Sequence, residues 1–212
     1  MVSIDKLFID NYEIKLEAEY FQSTSHTTKP TVLICHPHPQ YGGTMYNNIV
    51  SAVFNKLINN NISCLRFNFR GVGESSGNHS NGKGELSDVK SCIDFLINNK
   101  KCEKIIICGY SYGAAVGCAT VNYSDKIIGF ISISFPWAFM GAKYKKLSQT
   151  SKRKLFIQGN HDTVANYENF YENFNFYLNP KESKIIEGAD HFYWGYEEQV
   201  ANIIIEFYHS FD

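Results

Sequence analysis

Apolar positions recur along the chain with two periods. Over residues 12–21 they alternate, with Ile14, Leu16, Ala18 and Tyr20 on one side and Lys15, Glu17 and Glu19 on the other. That pattern predicts a strand with one wet face, as an antiparallel edge strand would have. A polar break follows over 22–30. Five later segments are short and almost continuously apolar or β-branched: 31–35 (TVLIC), 63–69 (SCLRFNF), 104–108 (KIIIC), 127–134 (IIGFISIS) and 154–158 (KLFIQ), with 183–187 (SKIIE) a weaker sixth. Such runs suit strands covered on both faces. Between them the apolar residues fall at helical spacing. Segment 47–60 carries Ile49, Val50, Val53, Phe54, Leu57 and Ile58; 86–98 carries Leu86, Val89, Ile93 and Leu96, with Asn99 as a stop. Segment 112–121 is small and apolar, 167–177 is aromatic-rich, and 195–208 aligns Val200, Ile203, Ile204 and Phe207.

Strands alternating with helices predict an α/β fold: a mostly parallel, twisted sheet with right-handed crossovers, helices on both faces and an antiparallel N-terminal strand. The length suits one domain, 1–212. In such sheets ligands bind at the carboxyl ends of the strands, so the chemistry is expected in the loops that follow them.

Charge narrows the partners. With 20 basic and 21 acidic residues there is no surplus to recruit nucleic acid and no field to steer a charged ligand. No segment approaches the roughly 20 apolar residues of a membrane span. Residues 1–10 mix Asp5, Lys6 and Asp10 into a short apolar pattern and do not read as a signal peptide. Cys35, Cys64 and Cys108 sit in strand-like runs and Cys92 and Cys118 in helix-like ones; with Cys102 they show no CxxC spacing. They are expected to be free thiols in a reducing compartment, which places the chain in the cytoplasm.

After the strand 104–108 comes Gly109-Tyr110-Ser111-Tyr112-Gly113 and then the helix-like AAVGCA. This GxSxG pattern between a strand and a helix makes Ser111 the candidate nucleophile, on a tight turn that the glycines let neighbouring backbone approach. The backbone N–H of Tyr112 can face a developing oxyanion. A serine hydroxyl needs a base and the base an orienting carboxylate, in the chain order Ser, acid, His. Of the histidines after Ser111, His209 sits near the chain end and His161 in the loop GNHD, whereas His191 follows the strand 183–187. Chain order favours Asp162 as acid and His191 as base. Asp190 adjoins His191 too closely to converge on it and reads as a turn residue; Glu168 already lies in the next helix.

The loop after 31–35 is His36-Pro37-His38-Pro39-Gln40-Tyr41-Gly42-Gly43. Proline has no N–H, so a second oxyanion donor falls to His38 or Gln40, and His38 is nearer the strand end. A metal site on His36 and His38 lacks further ligands at suitable spacing.

The motifs HPHPQYGGTMYNN, LRFNFRGVGESSG, GELSDV, GYSYG, GNHD and GADHF, from His36 to His191, resemble in kind and order those of small, lidless α/β hydrolases of the dienelactone-hydrolase-like and esterase-like group. The resemblance implies an α/β-hydrolase fold with Ser111, Asp162 and His191 as its triad. Two departures matter. The oxyanion loop opens His-Pro and not His-Gly, and position 111 is serine where dienelactone hydrolases use cysteine, so lactone chemistry is not carried over. Arg70–Gly77 matches the group's RGxGxSxG loop; its glycines are not spaced for a dinucleotide, and it reads as a turn supporting the site floor, with Asp88 tying it to the next helix.

Segment 135–151 stands where relatives insert a lid and is long enough only for a rim. Trp137, Phe139 and Met140 either wall an apolar acyl pocket or pack in the core. Lys143, Lys145, Lys146, Lys152, Arg153 and Lys154 form either a solvated loop or an attractant for an anionic substrate. The expected activity is hydrolysis of an ester or thioester of a small acyl substrate through an acyl-enzyme, with no metal or organic cofactor. A peptidase acting on short peptides and a non-catalytic interaction module are the alternatives.

Overall fold

The computed structural model of the chain describes residues 3–24 and 29–211. Residues 1, 2 and 212, and 25–28 of the predicted polar break, lie outside the described residues. Eight strands form one sheet in the order β1-β2-β4-β3-β5-β6-β7-β8. The strands are β1 (Ile4–Asn11), β2 (Ile14–Phe21), β3 (Thr31–Cys35), β4 (Cys64–Phe67), β5 (Ile105–Tyr110), β6 (Ile127–Ile133), β7 (Arg153–Gly159) and β8 (Lys181–Ile186). From β4 to β8 all neighbours are parallel, whereas β1 to β2 and β2 to β4 are antiparallel.

The helices are α1 (Asn48–Asn59), α2 (Lys83–Asn98), α3 (Tyr112–Cys118), α4 (Trp137–Leu147), α5 (Phe170–Asn175) and α6 (Glu197–His209). They divide between the two faces, and the strand pleat explains how. In β3, Val32 and Ile34 pack into one core with α1 and α6, while Leu33 and Cys35 pack into the other with α2, α3 and α4. In β5, Ile106 and Cys108 face the first core and Ile105 and Ile107 the second. A strand with an apolar layer on each side has no wet face, hence the unbroken apolar runs. All six cysteines are buried and unpaired. Among the described residues no helix is long and apolar enough to cross a membrane.

The N-terminal region corrects the reading of 12–21 as an edge strand. The edge is β1, which pairs along β2 from Ile4↔Phe21 to Asn11↔Ile14. Leu7 and Ile9 of β1 join the core, but the exposed Phe8 between them and the flanking Asp5, Lys6 and Asp10 hide its alternation. Because β2 is an interior strand, Glu19 is buried on its supposed wet face. There it accepts hydrogen bonds from Arg66 Nε at 2.9 Å and Nη2 at 2.6 Å across the β2–β4 pairing.

Chain order reverses at β3, which has β4 on one side and β5 on the other. This switch point opens a crevice beyond the strand ends, where the loops after β3 and β5 meet.

Candidate active site

Ser111 stands between β5 and α3 at φ 55°, ψ −119°, a conformation an L-residue adopts only under strain. Its N–H is tied to the Ile133 carbonyl at 2.8 Å. The flanking glycines are steric necessities. A Cβ on Gly109 would lie 2.3 Å from the Gly113 carbonyl oxygen, and one on Gly113 would lie 2.3 Å from that of Cys35 and 2.5 Å from that of His36. Gly113 therefore lets α3 start against the end of β3.

Ser111 Oγ lies 2.9 Å from His191 Nε2, and His191 Nδ1 lies 2.9 Å from Asp162 Oδ2. An ionised carboxylate only accepts, so Nδ1 carries the proton and Nε2 is the acceptor for the serine hydroxyl. Asp162 follows β7 and is 2 % exposed. Burial raises its pKa, but the hydrogen bond and charge of His191, the Ser134 hydroxyl and the Ala165 N–H outweigh that and hold the carboxyl below its ordinary range. Its Oδ1 accepts from the N–H groups of Val164 at 2.9 Å and Ala165 at 2.8 Å. His191 is anchored through its own carbonyl, which accepts from the Tyr110 hydroxyl at 2.5 Å. Asp190 is exposed and bonds the N–H groups of Phe192 and Tyr193, the turn role expected of it. His161 and His209 are exposed, the first at the loop after β7 and the second at the end of α6.

The loop after β3 folds into a single 3-10 turn. The His38 carbonyl accepts from Tyr41 and Gly43 N–H, and its Nδ1 accepts from Gln40 N–H at 3.2 Å. Burial first, then the nearby His79, lowers the pKa of His38, with Glu85 opposing. His36 is wholly buried. Its Nδ1 donates to the Pro37 carbonyl at 2.6 Å and its Nε2 accepts from Phe69 N–H at 3.0 Å, so both ring nitrogens are engaged and a His36–His38 ligand pair has no free nitrogen on His36. Burial pushes its pKa down to about 3. The Arg70–Gly77 loop, after β4, is held as expected by Asp88, which accepts from Arg70 Nη2 at 2.7 Å and from Arg70 N–H at 3.1 Å.

Above Ser111 and His191 lies a cleft of about 380 Å³. Its walls are His38, Tyr41, Tyr110, Tyr112, Phe139 and Phe192, with Pro37, Pro136, Val164 and Asn47 between them. No Asp, Glu, Lys or Arg is among the lining residues. Tyr112 and His38 both line it; the Tyr112 N–H leads α3 and has no acceptor within that helix.

A model of the α/β-hydrolase domain matches residues 28–199. The chain belongs to this family. The hydrolase is 31% identical over 209 residues to an uncharacterized protein of Rickettsia prowazekii, covering 95% of this chain and 87% of that one. It superposes on an alpha-beta serine hydrolase homologue from Coxiella burnetii with TM-score 0.86 at 30% identity, covering 97% of each chain. A serine hydrolase without lid from Xanthomonas campestris shares the fold at TM-score 0.80 and 21% identity, over 95% of each chain.

In the hydrolase, 135–151 contains α4, broken at Gly141 (φ 75°, ψ 176°), and contributes Pro136 and Phe139 to the rim of the cleft. Of the three residues expected to wall a pocket, only Phe139 does so. Trp137 stacks on Phe135 and donates to the Tyr177 hydroxyl at 3.2 Å within the core, and Met140 packs against that same core. Helical geometry turns residues 137 and 140 to the protein side when 139 faces out.

The basic cluster is likewise dispersed. Lys154, which opens the predicted strand 154–158 and is also counted in the basic cluster, is a fully buried β7 residue whose Nζ donates to the Leu178 and Pro180 carbonyls. Burial, then Lys181, lowers its pKa to about 8. Lys152 donates to the Val121 and Ser124 carbonyls and Arg153 pairs with Glu182. Only Lys143 and Lys146 are exposed, and none of the six lines the cleft.

Tyr41, Tyr110 and Phe192 lie within the quoted motifs and Val164 just beyond GNHD, but nothing in the sequence distinguishes them as walls of the cleft. Ser134, which bonds the acid, and Tyr193, which bonds Ser134, carry no motif signal either. Ser134 closes the predicted strand 127–134, and its place at a strand's carboxyl end was the available signal.

Proposed function

We propose that the protein is a serine esterase acting on small, uncharged esters or thioesters. The observation that carries this reading is the continuous hydrogen-bonded line from Ser111 Oγ through the His191 imidazole to Asp162, at the floor of an open aromatic cleft. His191, oriented by Asp162, takes the Ser111 proton as Oγ attacks the carbonyl carbon. The backbone N–H groups of Tyr112 and His38 stabilise the oxyanion. His191 then protonates the leaving alcohol or thiol, and a water molecule, deprotonated by the same imidazole, releases the acid from Ser111.

The charge-free walls favour neutral substrates, since a charged group in the cleft would lose water without gaining a partner. For the same reason they favour esters over short peptides, whose charged termini find no counter-ion there. The likeness to the Coxiella serine hydrolase homologue supports the chemistry.

A fluorophosphonate probe tests it. Mass spectrometry is expected to find the adduct on Ser111 in the native chain and none in the Ser111→Ala and His191→Ala variants. A folded native protein that takes no label would refute the reading.

A further inference from the structure

The seven non-glycine residues of positive φ among the described residues include Tyr12, Asn61, Asn81 and Lys101, all outside the cleft lining. The other three are Ser111 (φ 55°), Ser134 (φ 48°) and Tyr193 (φ 54°). Ser111 has its explanation in the elbow. Ser134 and Tyr193 follow β6 and β8, both are fully buried, and neither side chain lines the cleft. Backbone strain of this kind persists where the surroundings demand it. What demands it here is a line of hydrogen bonds.

The Ser134 hydroxyl donates to Asp162 Oδ2 at 2.6 Å, the oxygen that also receives His191 Nδ1. Ser134 Oγ lies 2.6 Å from the Tyr193 hydroxyl, which accepts from Gly159 N–H at 3.0 Å. Every proton in this line has a fixed direction. Asp162 can only accept, so Ser134 donates to it. With its proton spent, Ser134 must accept from Tyr193. Tyr193 is free to donate because its own acceptor site is filled by the Gly159 N–H. Burial raises the phenol pKa, which keeps that proton in place. The line ties the ends of β6 and β7 to the loop after β8, the three segments that carry Ser134, Asp162 and His191.

We propose that Ser134 and Tyr193 are positioning residues that hold the Asp162 carboxylate in the orientation His191 requires; the inference rests on the acyl-transfer reading of Ser111, His191 and Asp162. Tyr193 sets the Ser134 hydroxyl, Ser134 sets Oδ2, and Oδ2 sets the tautomer and tilt of the imidazole. The Val164 and Ala165 N–H groups hold only the other oxygen, Oδ1. Without Ser134, Oδ1 stays anchored but Oδ2 is left, among the described residues, with His191 as its one side-chain donor.

Steady-state hydrolysis of 4-nitrophenyl butyrate by the full chain tests this, with Ser134→Ala, Ser134→Gly, Tyr193→Phe and the Ser134→Ala/Tyr193→Phe double variant. Ser134→Ala and Ser134→Gly are expected to lower kcat roughly tenfold, the effect of losing one hydrogen bond to a charged group, and Tyr193→Phe roughly threefold, the effect of losing the neutral bond that orients Ser134. KM should stay within about twofold of the native value, since neither side chain reaches the substrate. The double variant should be no slower than Ser134→Ala, because both changes cut the same line. Ser134→Gly relieves the positive φ, so it should melt above Ser134→Ala and yet be equally slow. A native kcat in these variants, losses that multiply in the double variant, or losses that track the melting temperature would overturn the proposal. If Ser111 takes no fluorophosphonate in the native chain, the acyl-transfer reading fails first and carries this inference down with it. A labelled Ser111 with unaltered variant kcat sinks the inference alone.

Discussion

At Gly113 the absence of one methyl group lets two loops meet. The backbone after Ser111 crosses the end of β3 so closely that any Cβ there would overlap the Cys35 and His36 carbonyls. Gly113→Ala is expected to destabilise the fold by about 1–3 kcal/mol through forced backbone separation. It should also slow fluorophosphonate labelling, because the 36–38 loop and the elbow can no longer approach as they do. Labelling at the native rate with an unchanged melting temperature would contradict the steric account. His36 works beside it in another way. Buried with a low pKa, it is neutral in the fold, while in the unfolded chain it protonates below about 6.5. Between pH 6.5 and 3 the unfolded state therefore binds more protons, and stability falls as the pH falls, by up to about 1.4 kcal/mol per pH unit from this residue. Asp162 adds to this only at the acid end: its carboxyl is held below the usual 3.8, so most of the stability it supplies is lost as the pH falls through and below that value, beneath the interval from pH 7 to 5. Urea unfolding at pH 7 and pH 5 should find the native chain far more stable than His36→Gln at pH 7 and the gap narrowed at pH 5. Parallel losses would assign the acid sensitivity elsewhere.

Among the elements, α4 shows how one short helix serves both core and cleft. Trp137 is sandwiched with Phe135 and bonded to Tyr177, whereas Phe139 is 59% exposed at the cleft wall. Trp137→Ala is expected to cost about 3–5 kcal/mol of stability. Phe139→Ala should change stability by roughly 0.5 kcal/mol or less, while raising KM for butyrate esters more than for acetate esters. Thermal melts and ester kinetics on the two variants check this division; a Phe139→Ala variant with unchanged KM across acyl lengths would remove Phe139 from the binding wall. The hairpin of β1 and β2 shows why element type was easier to read than position in the sheet. Alternation along β2 named a strand, but whether its polar face met water depended on β4 and Arg66, which lie more than forty residues away in sequence.

For the whole molecule, the near balance of charges and the charge-free cleft point the same way. The net charge is −1 and no Asp, Glu, Lys or Arg lines the cleft, which is why the proposed substrate is uncharged. Residues 31–35, 104–108 and 127–134 were legible as buried strands because two apolar layers demand unbroken apolar runs, and Ser111 was legible because a strained turn with close backbone contacts demands glycines on both sides. The order of acid and histidine after Ser111 followed from the loops that close each strand. The sequence by itself thus determined the alternating elements, the elbow and the residues able to meet it, since each is a matter of local periodicity or steric need. Only the tertiary structure decided that β1 is the edge, that Lys154 is buried, that Trp137 and Met140 face the core, and that Ser134 and Tyr193 stand behind Asp162. Those are contacts between segments far apart in the chain, and the pairing of strands, not the pattern within them, sets which side chains meet.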